Sequence, residues 1–256
     1  MNLGFLGTGR ITSSVIEGIF KSNLKIKKIY ISPRNKIIAK KLSKRFKKVI
    51  ISKNNQQLID KSNWVFLAVT PKVGNKILKK LNFKKNKKII SFISTINLAQ
   101  LRKVIGKKIK IVRAIPLPPI SIKKGPVPIC PPDNQVKNFF NQLGTTIEIK
   151  NERSSINFWA TSGMMAPFYE LLKVLSDWLV KRGIKKNVAQ KYITSLFVAL
   201  SEDSAINSKK DLKYLVKESQ TPGGLNEQAI KELRKNGFYR NLEKSLDGIL
   251  KRLNKV

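Results

Sequence analysis

The chain has 256 residues, 41% of them hydrophobic, and carries 52 Lys and Arg against 15 Asp and Glu, a formal charge of +37. That length holds one large domain or two modest ones, either with a substantial core. The absence of histidine excludes Ser-His-Asp and Cys-His catalysis and the usual zinc sites, and the single cysteine, Cys130, excludes an intrachain disulfide, a CxxC redox pair and a thiolate metal cluster, so no metal is expected. The apolar run Leu3 to Leu6 predicts a first strand, Gly7-Thr8-Gly9 a tight turn and Ile11 to Phe20 an amphipathic helix. In that order they make a phosphate cradle. Gly7 permits the turn, Gly9 lets the backbone approach a pyrophosphate, and the new helix presents unpaired N–H groups to the anion. Thr12 stands where the usual GxGxxG has its third glycine, so taken alone the motif also reads as a plain strand-turn-helix. The first strand lies so close to Met1 that no signal peptide is expected ahead of it, and no window of about 18 apolar residues predicts a membrane span. A cytoplasmic protein is expected.

Lys27 to Ser32, Val49 to Ser52, Trp64 to Val69, Lys88 to Ser91 and Ile109 to Ala114 read as further strands alternating with helical patterns. That alternation predicts βαβ units and a parallel sheet. The second strand ends in Ile31-Ser32-Pro33-Arg34-Asn35, where a dinucleotide fold that binds NAD would place a carboxylate on the ribose. None is present. Ser32, Arg34 and Asn35 suit a 2′-phosphate instead, with Lys36, Lys40 and Lys41 adding positive potential, which favours NADP over NAD. The competing reading makes Arg34 one more surface cation. Arg113 to Pro119, with three prolines in seven residues, is predicted to leave the sheet as a rigid connection. Val127 to Cys130 and Thr145 to Ile149 are then edge strands around a helix over about Asn134 to Leu143, with Cys130 a buried small apolar residue. Beyond Asn151 helices are predicted over Ile156 to Ser162, Pro167 to Arg182, Lys186 to Asn207, Lys209 to Glu218, Leu225 to Lys235 and Tyr239 to Asn254, the last with an apolar face of Leu242, Leu246, Ile249 and Leu253.

The charge has two readings. A net +37 suits a nucleic-acid or anionic-membrane partner, but the lysines recur in nearly every helix and loop instead of forming one tail or stripe. Compositional bias acting on solvated positions explains that spread, so nucleic acid is not expected as a partner.

Gly4-Phe5-Leu6-Gly7-Thr8-Gly9-Arg10-Ile11, Ser32 with Arg34, Phe66-Leu67-Ala68-Val69-Thr70-Pro71, Val112-Arg113 with Pro116, Ser162-Gly163 and Thr221-Pro222-Gly223-Gly224 resemble the pyrroline-5-carboxylate reductase family in order and spacing. The resemblance implies an α/β fold: an amino-terminal Rossmann domain over residues 1–150, then an all-α dimerisation and substrate-binding domain over 151–256. It implies NADPH-dependent reduction of the cyclic imine 1-pyrroline-5-carboxylate, a small anion, to L-proline by a homodimer or higher homo-oligomer. Gly7, Thr8, Gly9, Arg10 and Ile11 correspond to the pyrophosphate site, Ser32 and Arg34 to the adenosine phosphate, Asn55 to the adenosine side, and Ala68, Val69, Thr70 and Pro71 to the nicotinamide ribose. On the substrate side fall Ser162, Gly163, Thr221, Gly223, Gly224, Leu225 and Asn226, with Asn226 the residue expected to orient substrate in catalysis.

That side departs from the family pattern. Leu225 and Asn226 replace the two threonines of Ser-Pro-Gly-Gly-Thr-Thr, Ile115-Pro116-Leu117-Pro118-Pro119 replaces Met-Pro-Asn-Thr-Pro, Ile93-Ser94-Thr95 replaces a small-residue stretch, and Met164-Met165 enters a glycine-rich turn. The bare amides of Gly223 and Gly224 at a helix start suit an anion, while the same residues also read as a helix start with Thr221 as N-cap and Pro222 in the first turn. Two alternatives stay open: a reductase of the same fold acting on another imine or a ketone, and a basic nucleic-acid-binding or regulatory protein built on a dinucleotide fold.

Overall fold

The alternating apolar runs form eight strands in the computed structural model, which describes residues 1–254: β1 (Asn2–Leu6), β2 (Lys28–Ile31), β3 (Val49–Ile51), β4 (Trp64–Leu67), β5 (Lys88–Ser91), β6 (Lys110–Ala114), β7 (Pro126–Cys130) and β8 (Thr145–Glu148). They make one sheet in the order β3-β2-β1-β4-β5-β6-β7-β8, parallel throughout except where β7 runs against β6. The connecting helices are α1 (Arg10–Phe20), α2 (Lys36–Arg45), α3 (Asn55–Lys61), α4 (Pro71–Ile77), α5 (Leu98–Ile105) and α6 (Asn134–Asn141). Side chains alternate across each strand. Leu3, Phe5, Trp64, Phe66 and Ile90 point into a core with Val15, Ile16 and Ile19 of α1 and Phe139 and Phe140 of α6. Leu6, Val65, Leu67 and Ile89 meet Leu58 and Ile59 of α3 and Leu101 and Ile105 of α5. Both faces are covered, which is why these strands are apolar at successive positions.

The asparagines scattered through the sequence start helices. Side-chain oxygens of Asn35, Asn54 and Asn97 accept the backbone N–H of Ile38, Gln57 and Gln100 at the openings of α2, α3 and α5. Each satisfies a donor that a helix leaves unpaired at its first turn.

Two expectations change around the antiparallel step. Arg113 does not leave the sheet: it and Ala114 pair with Cys130 and Ile129, and the prolines act only afterwards, in a 3₁₀ turn over Pro118–Ile122. Of the two strands expected at the edge, β8 is the edge and β7 lies inside it, flanked by β6 and β8. Pro128 lacks an N–H, and it enters the pairing as an acceptor, taking the Ile115 N–H at 3.2 Å. Cys130 is buried, as its apolar neighbours predict.

The chain divides into two compact units, the first ending at Trp159 and the second beginning at Ala160. The division falls within α7 (Glu152–Thr161), which starts four residues before the predicted Ile156 because Asn151 turns the chain, its Oδ1 accepting from Arg153 N–H at 2.9 Å. The second unit is helical: a 3₁₀ turn over Ser162–Met164, then α8 (Met165–Val180), α9 (Lys186–Ile206), α10 (Leu212–Glu218), α11 (Leu225–Lys235) and α12 (Phe238–Asn254). Helix α10 begins later than predicted because Asp211 caps it, accepting the Lys213 N–H at 2.9 Å. The apolar face of α12 is half-buried, as its spacing predicts. On α8 and α9 the outcome is different, since Tyr169, Val174, Trp178, Val188, Tyr192, Val198 and Leu200 are all exposed.

A buried ion pair ties the strands to α6. Lys88, at the start of β5, donates to both carboxylate oxygens of Asp133 and to Gln135 Oε1, each at 2.8 Å, and its ammonium stands 5.1 Å from the centre of the Trp64 ring. Asp133 also caps α6 by accepting from the Val136 N–H at 3.0 Å. Burial works to raise the Asp133 carboxyl, but the Lys88 hydrogen bond and the backbone amides outweigh it and hold the group below its ordinary value. A depressed carboxyl stabilises the fold above its unfolded value and loses that contribution as pH falls through the folded value. Lys88→Met is expected to cost about 2–4 kcal/mol in urea unfolding at neutral pH, because it leaves a carboxylate unpaired in a largely buried site. Asp133→Asn is expected to flatten the loss of stability below about pH 4. An unchanged acid limb in that variant would contradict the assignment.

Candidate functional site

At the carboxyl ends of β1, β2 and β4 the sheet order reverses direction, with β2 on one side of β1 and β4 on the other. Such a switch point opens a crevice for ligands. Here it is a cavity of about 710 Å³ lined by Gly7, Thr8, Gly9, Ser32, Arg34, Asn55, Ala68, Val69 and Thr70 among others. Nine of the cofactor residues named from the sequence therefore converge, although they come from four separate stretches of chain.

The first residue of the turn after β1 has no room for a side chain. Gly7 has φ +111°, and a Cβ there would stand 2.3 Å from the Ala68 carbonyl oxygen. Thr12, in the position of the missing third glycine, donates its hydroxyl to the Gly7 carbonyl at 2.7 Å, and Thr8 donates to the Ser32 carbonyl at 2.8 Å. Gly9 caps α1 without a side chain, and no acidic residue occupies the first turn of that helix. The first-turn N–H groups of α1 are therefore left for an anion, helped by the positive end of the helix dipole.

Ser32 has a different part from the one its position suggests. Its Oγ accepts the Gly7 N–H at 3.0 Å and donates to Asn55 Oδ1 at 2.8 Å, so its single proton is committed inside the protein. It joins β1, β2 and α3 and turns the Asn55 amide so that its NH₂ remains as the donor. The cations at this end are Arg34 and Lys36, both exposed, and no carboxylate lines the cavity. Asn35 also lines it, but its Oδ1 is taken by the cap of α2. A dinucleotide carrying a 2′-phosphate fits this set: a tight glycine turn at the start of α1, two cations and no acid to hold a ribose diol. Lys40 and Lys41, named for added potential, do not line it, and neither do Arg10, Ile11 and Pro71. Ile11 packs against the core and Pro71 opens α4, so both act through the backbone they shape. Ile37, Val73 and Ile77 line the cavity as well and were not singled out from the sequence. An isoleucine 83% exposed on the first turn of α2 is explained by such a wall, but its exposure is invisible without the fold.

Beyond β5 and β6 a buried guanidinium organises the loop Ile93-Ser94-Thr95. Arg113 is 4% exposed, donates to Glu152 Oε1 at 2.7 Å and to the Ser94 carbonyl, and lies 5.5 Å from the centre of the Trp159 ring. Glu152 Oε1 also accepts the Leu98 N–H at 2.8 Å, so one carboxylate fixes both the loop and the start of α5.

The residues expected on the substrate side fall at two places in the second unit. Ser162 and Gly163 form the 3₁₀ turn at its start, where a Cβ on Gly163 would lie 2.8 Å from Ile249 Cδ1 of α12. Packing thus accounts for that glycine. Thr221 is not the N-cap of α11; Gly224 is, with Leu225 first in the helix and 84% exposed. The amides expected to be bare are engaged. Gly224 N–H donates to the Thr221 carbonyl at 2.8 Å, and Gly223 N–H to Glu227 Oε2 at 2.8 Å. Glu227 reaches back because the helix start attracts a carboxylate. The hydrogen bond from Lys231, then that from Gly223, holds its carboxyl below the ordinary range. Asn226 closes the same loop, donating from Nδ2 to the Ser219 carbonyl at 2.8 Å. Among the described residues no cluster of His, Cys, Asp and Glu suits a metal ion, and no helix is long and apolar enough to cross a membrane.

Comparison with known proteins follows the two units. Residues 2–97 match the family model described as NADP oxidoreductase, coenzyme F420-dependent, and residues 156–256 match that of pyrroline-5-carboxylate reductase dimerisation. A pyrroline-5-carboxylate reductase of Aquifex aeolicus is 29% identical over 71% of this chain and 70% of its own. The crystal structure of the Streptococcus pyogenes 1-pyrroline-5-carboxylate reductase superposes with a TM-score of 0.87 at 23% identity, covering 100% of this chain and 99% of that one. The Plasmodium falciparum pyrroline carboxylate reductase with NADP bound gives 0.85 at 22% identity over 99% and 97%. With a nucleotide crevice of the right chemistry in the first unit and the pyrroline-5-carboxylate reductase dimerisation family matched over residues 156–256, the chain is similar to pyrroline-5-carboxylate reductases in both units.

Proposed function

We propose that this protein reduces 1-pyrroline-5-carboxylate to L-proline with NADPH. The observation that carries the reading is the crevice at the switch point, cationic at its adenosine end and without a carboxylate, in a chain whose relatives bear that reductase name. When bound, NADPH supplies a hydride from C4 of its nicotinamide. The chain contributes placement. The first turn of α1 receives the pyrophosphate, Arg34 and Lys36 the 2′-phosphate, Asn55 the adenosine side, and Ala68, Val69, Thr70 and Pro71 the nicotinamide ribose. A protonated cyclic imine is already electrophilic at carbon, so the absence of histidine is no obstacle. Residues 1–150 serve as the nucleotide domain and residues 151–256 as the dimerisation and substrate domain, with Ser162, Gly163, Thr221, Gly223, Gly224, Leu225 and Asn226 on the substrate side.

One observation favours a second reading, another imine as substrate. The Glu227 carboxylate sits on the Gly223 amide, where it repels a second carboxylate. A substrate that bears no carboxylate at this loop avoids the conflict.

A second copy of the chain is the partner we infer for the helical unit. Helix α8 confines its charges to one stripe, where Lys173 pairs with Glu170 and Asp177, and its remaining surface is largely apolar, yet Tyr169, Val174 and Trp178 are each more than half exposed.

Arg34→Ala is expected to weaken NADPH about 10- to 100-fold, the size of a hydrogen bond to a charged group, and NADH less than about twofold. Equal weakening in fluorescence titrations removes the 2′-phosphate role. NADPH oxidation is expected with 1-pyrroline-5-carboxylate in preference to 1-pyrroline-2-carboxylate, 1-piperideine carboxylates and uncharged 1-pyrroline. Turnover of 1-pyrroline alone favours the second reading, and tight NADPH binding with no imine turned over rejects both. Trp178→Glu is expected to lower the mass measured by light scattering toward that of one chain; an unchanged oligomer places the interface elsewhere.

A further inference from the structure

The first unit has a second cavity, of about 590 Å³, on the face of the sheet covered by α4 and α5. Its apolar lining comes from Leu78, Ile96, Leu101 and Val104, and Lys79 and Lys103 stand exposed at its rim. No carboxylate lines it. The volume is that of a small-molecule site, too small for a docked helix, and the combination of apolar walls with unopposed cations selects one class of occupant. We propose that this cavity binds a small amphiphilic anion, an apolar body with a single carboxylate or phosphate head, and that its occupancy is felt in the nucleotide crevice.

The two cavities share a wall. Helix α4 and the 3₁₀ turn that continues it, Leu78–Lys80, separate the two cavities. Val73 and Ile77 line the nucleotide crevice, while Leu78 and Lys79 line the second cavity. Beneath them Gly74 is buried so tightly that a Cβ would stand 3.0 Å from Ile93 Cδ1 and 3.5 Å from Ile96 Cδ1. Ile96 belongs to the second cavity, and α4 begins at Pro71, directly after Thr70, which lines the nucleotide crevice. A body that displaces Ile96 or Leu78 therefore presses on the helix that forms both walls, because a close-packed contact transmits a shift it cannot absorb.

The experiment uses the full chain with octanoate and phenyl phosphate as probes, titrated by calorimetry with and without saturating NADPH. Saturable binding of at least one probe is expected in the presence of NADPH, with acetate and inorganic phosphate weaker by about tenfold because they lack the apolar body. The double variant Lys79→Glu, Lys103→Glu is expected to weaken the probe by about tenfold or more, and the control Lys107→Glu, Lys108→Glu, equal in charge but outside the cavity, by less than about twofold. Equal weakening by both pairs, loss of binding whenever NADPH is present, or no saturable binding of either probe would overturn the site. For the coupling, a saturating probe is expected to change the NADPH dissociation constant by about threefold or more in the unmodified chain and not in the Lys79, Lys103 variant. Probe binding without that change overturns the coupling and leaves the site standing. None of these readouts needs turnover, so they are independent of the substrate assignment.

Discussion

The fold of the first unit is organised around the contact between Gly7 and the carbonyl of Ala68. Three strands end here. A Cβ at residue 7 would lie 2.3 Å from that oxygen, so the turn after β1 and the end of β4 approach as closely as backbone permits. Thr12 closes the turn from the α1 side and Ser32 from the β2 side. Ser32 then passes the constraint to Asn55 at the start of α3. A single steric limit thereby sets the floor of the nucleotide crevice, the direction of α1 and the orientation of an amide on its wall. The cations that name the nucleotide stand outside this network and are free to engage a phosphate.

The groups proposed for nucleotide and those proposed for substrate differ in what is left to them. On the nucleotide side, residues whose chemistry suits a phosphate are also placed to meet one. In the loop proposed for substrate the chain has used its own groups: Glu227 takes the Gly223 amide, the Thr221 carbonyl takes the Gly224 amide, and Asn226 holds the Ser219 carbonyl. A loop whose donors are occupied internally recognises its ligand only by exchanging partners, and that exchange costs affinity or selects a ligand that needs fewer donors. Departures at Leu225 and Asn226 were visible in the sequence. Glu227 was not singled out, because its importance lies in reaching back four residues to an amide.

Electrostatics is distributed in the same way. A charge of +37 suggests a partner of opposite sign, yet the lysines that matter structurally are few. Lys88 is consumed by Asp133, and Lys87 by the carbonyls of Asp60 and Ser62 at 2.9 and 2.7 Å. Burial lowers the Lys87 ammonium below its ordinary value. Most of the others are exposed and solvated, and they raise the local concentration of small anions.

The sequence by itself determined the order of elements, the parallel character of the first sheet, the glycine cradle and the absence of an acid after β2. These are local properties: strand period, turn chemistry and charge at a named position are all encoded in a few neighbouring residues. It also carried the helical character of the second unit. Tertiary structure decided what depends on distant partners. Arg113 stays in the sheet because β7 returns antiparallel beside it, Ser32 serves the fold because Asn55 takes its proton, Gly163 is small because Ile249 lies against it, and Ile37 lines a crevice because α2 starts at its rim. Each of those outcomes depends on an atom supplied by a residue remote in the chain or on where a helix comes to rest, and neither spacing nor composition specifies such a meeting.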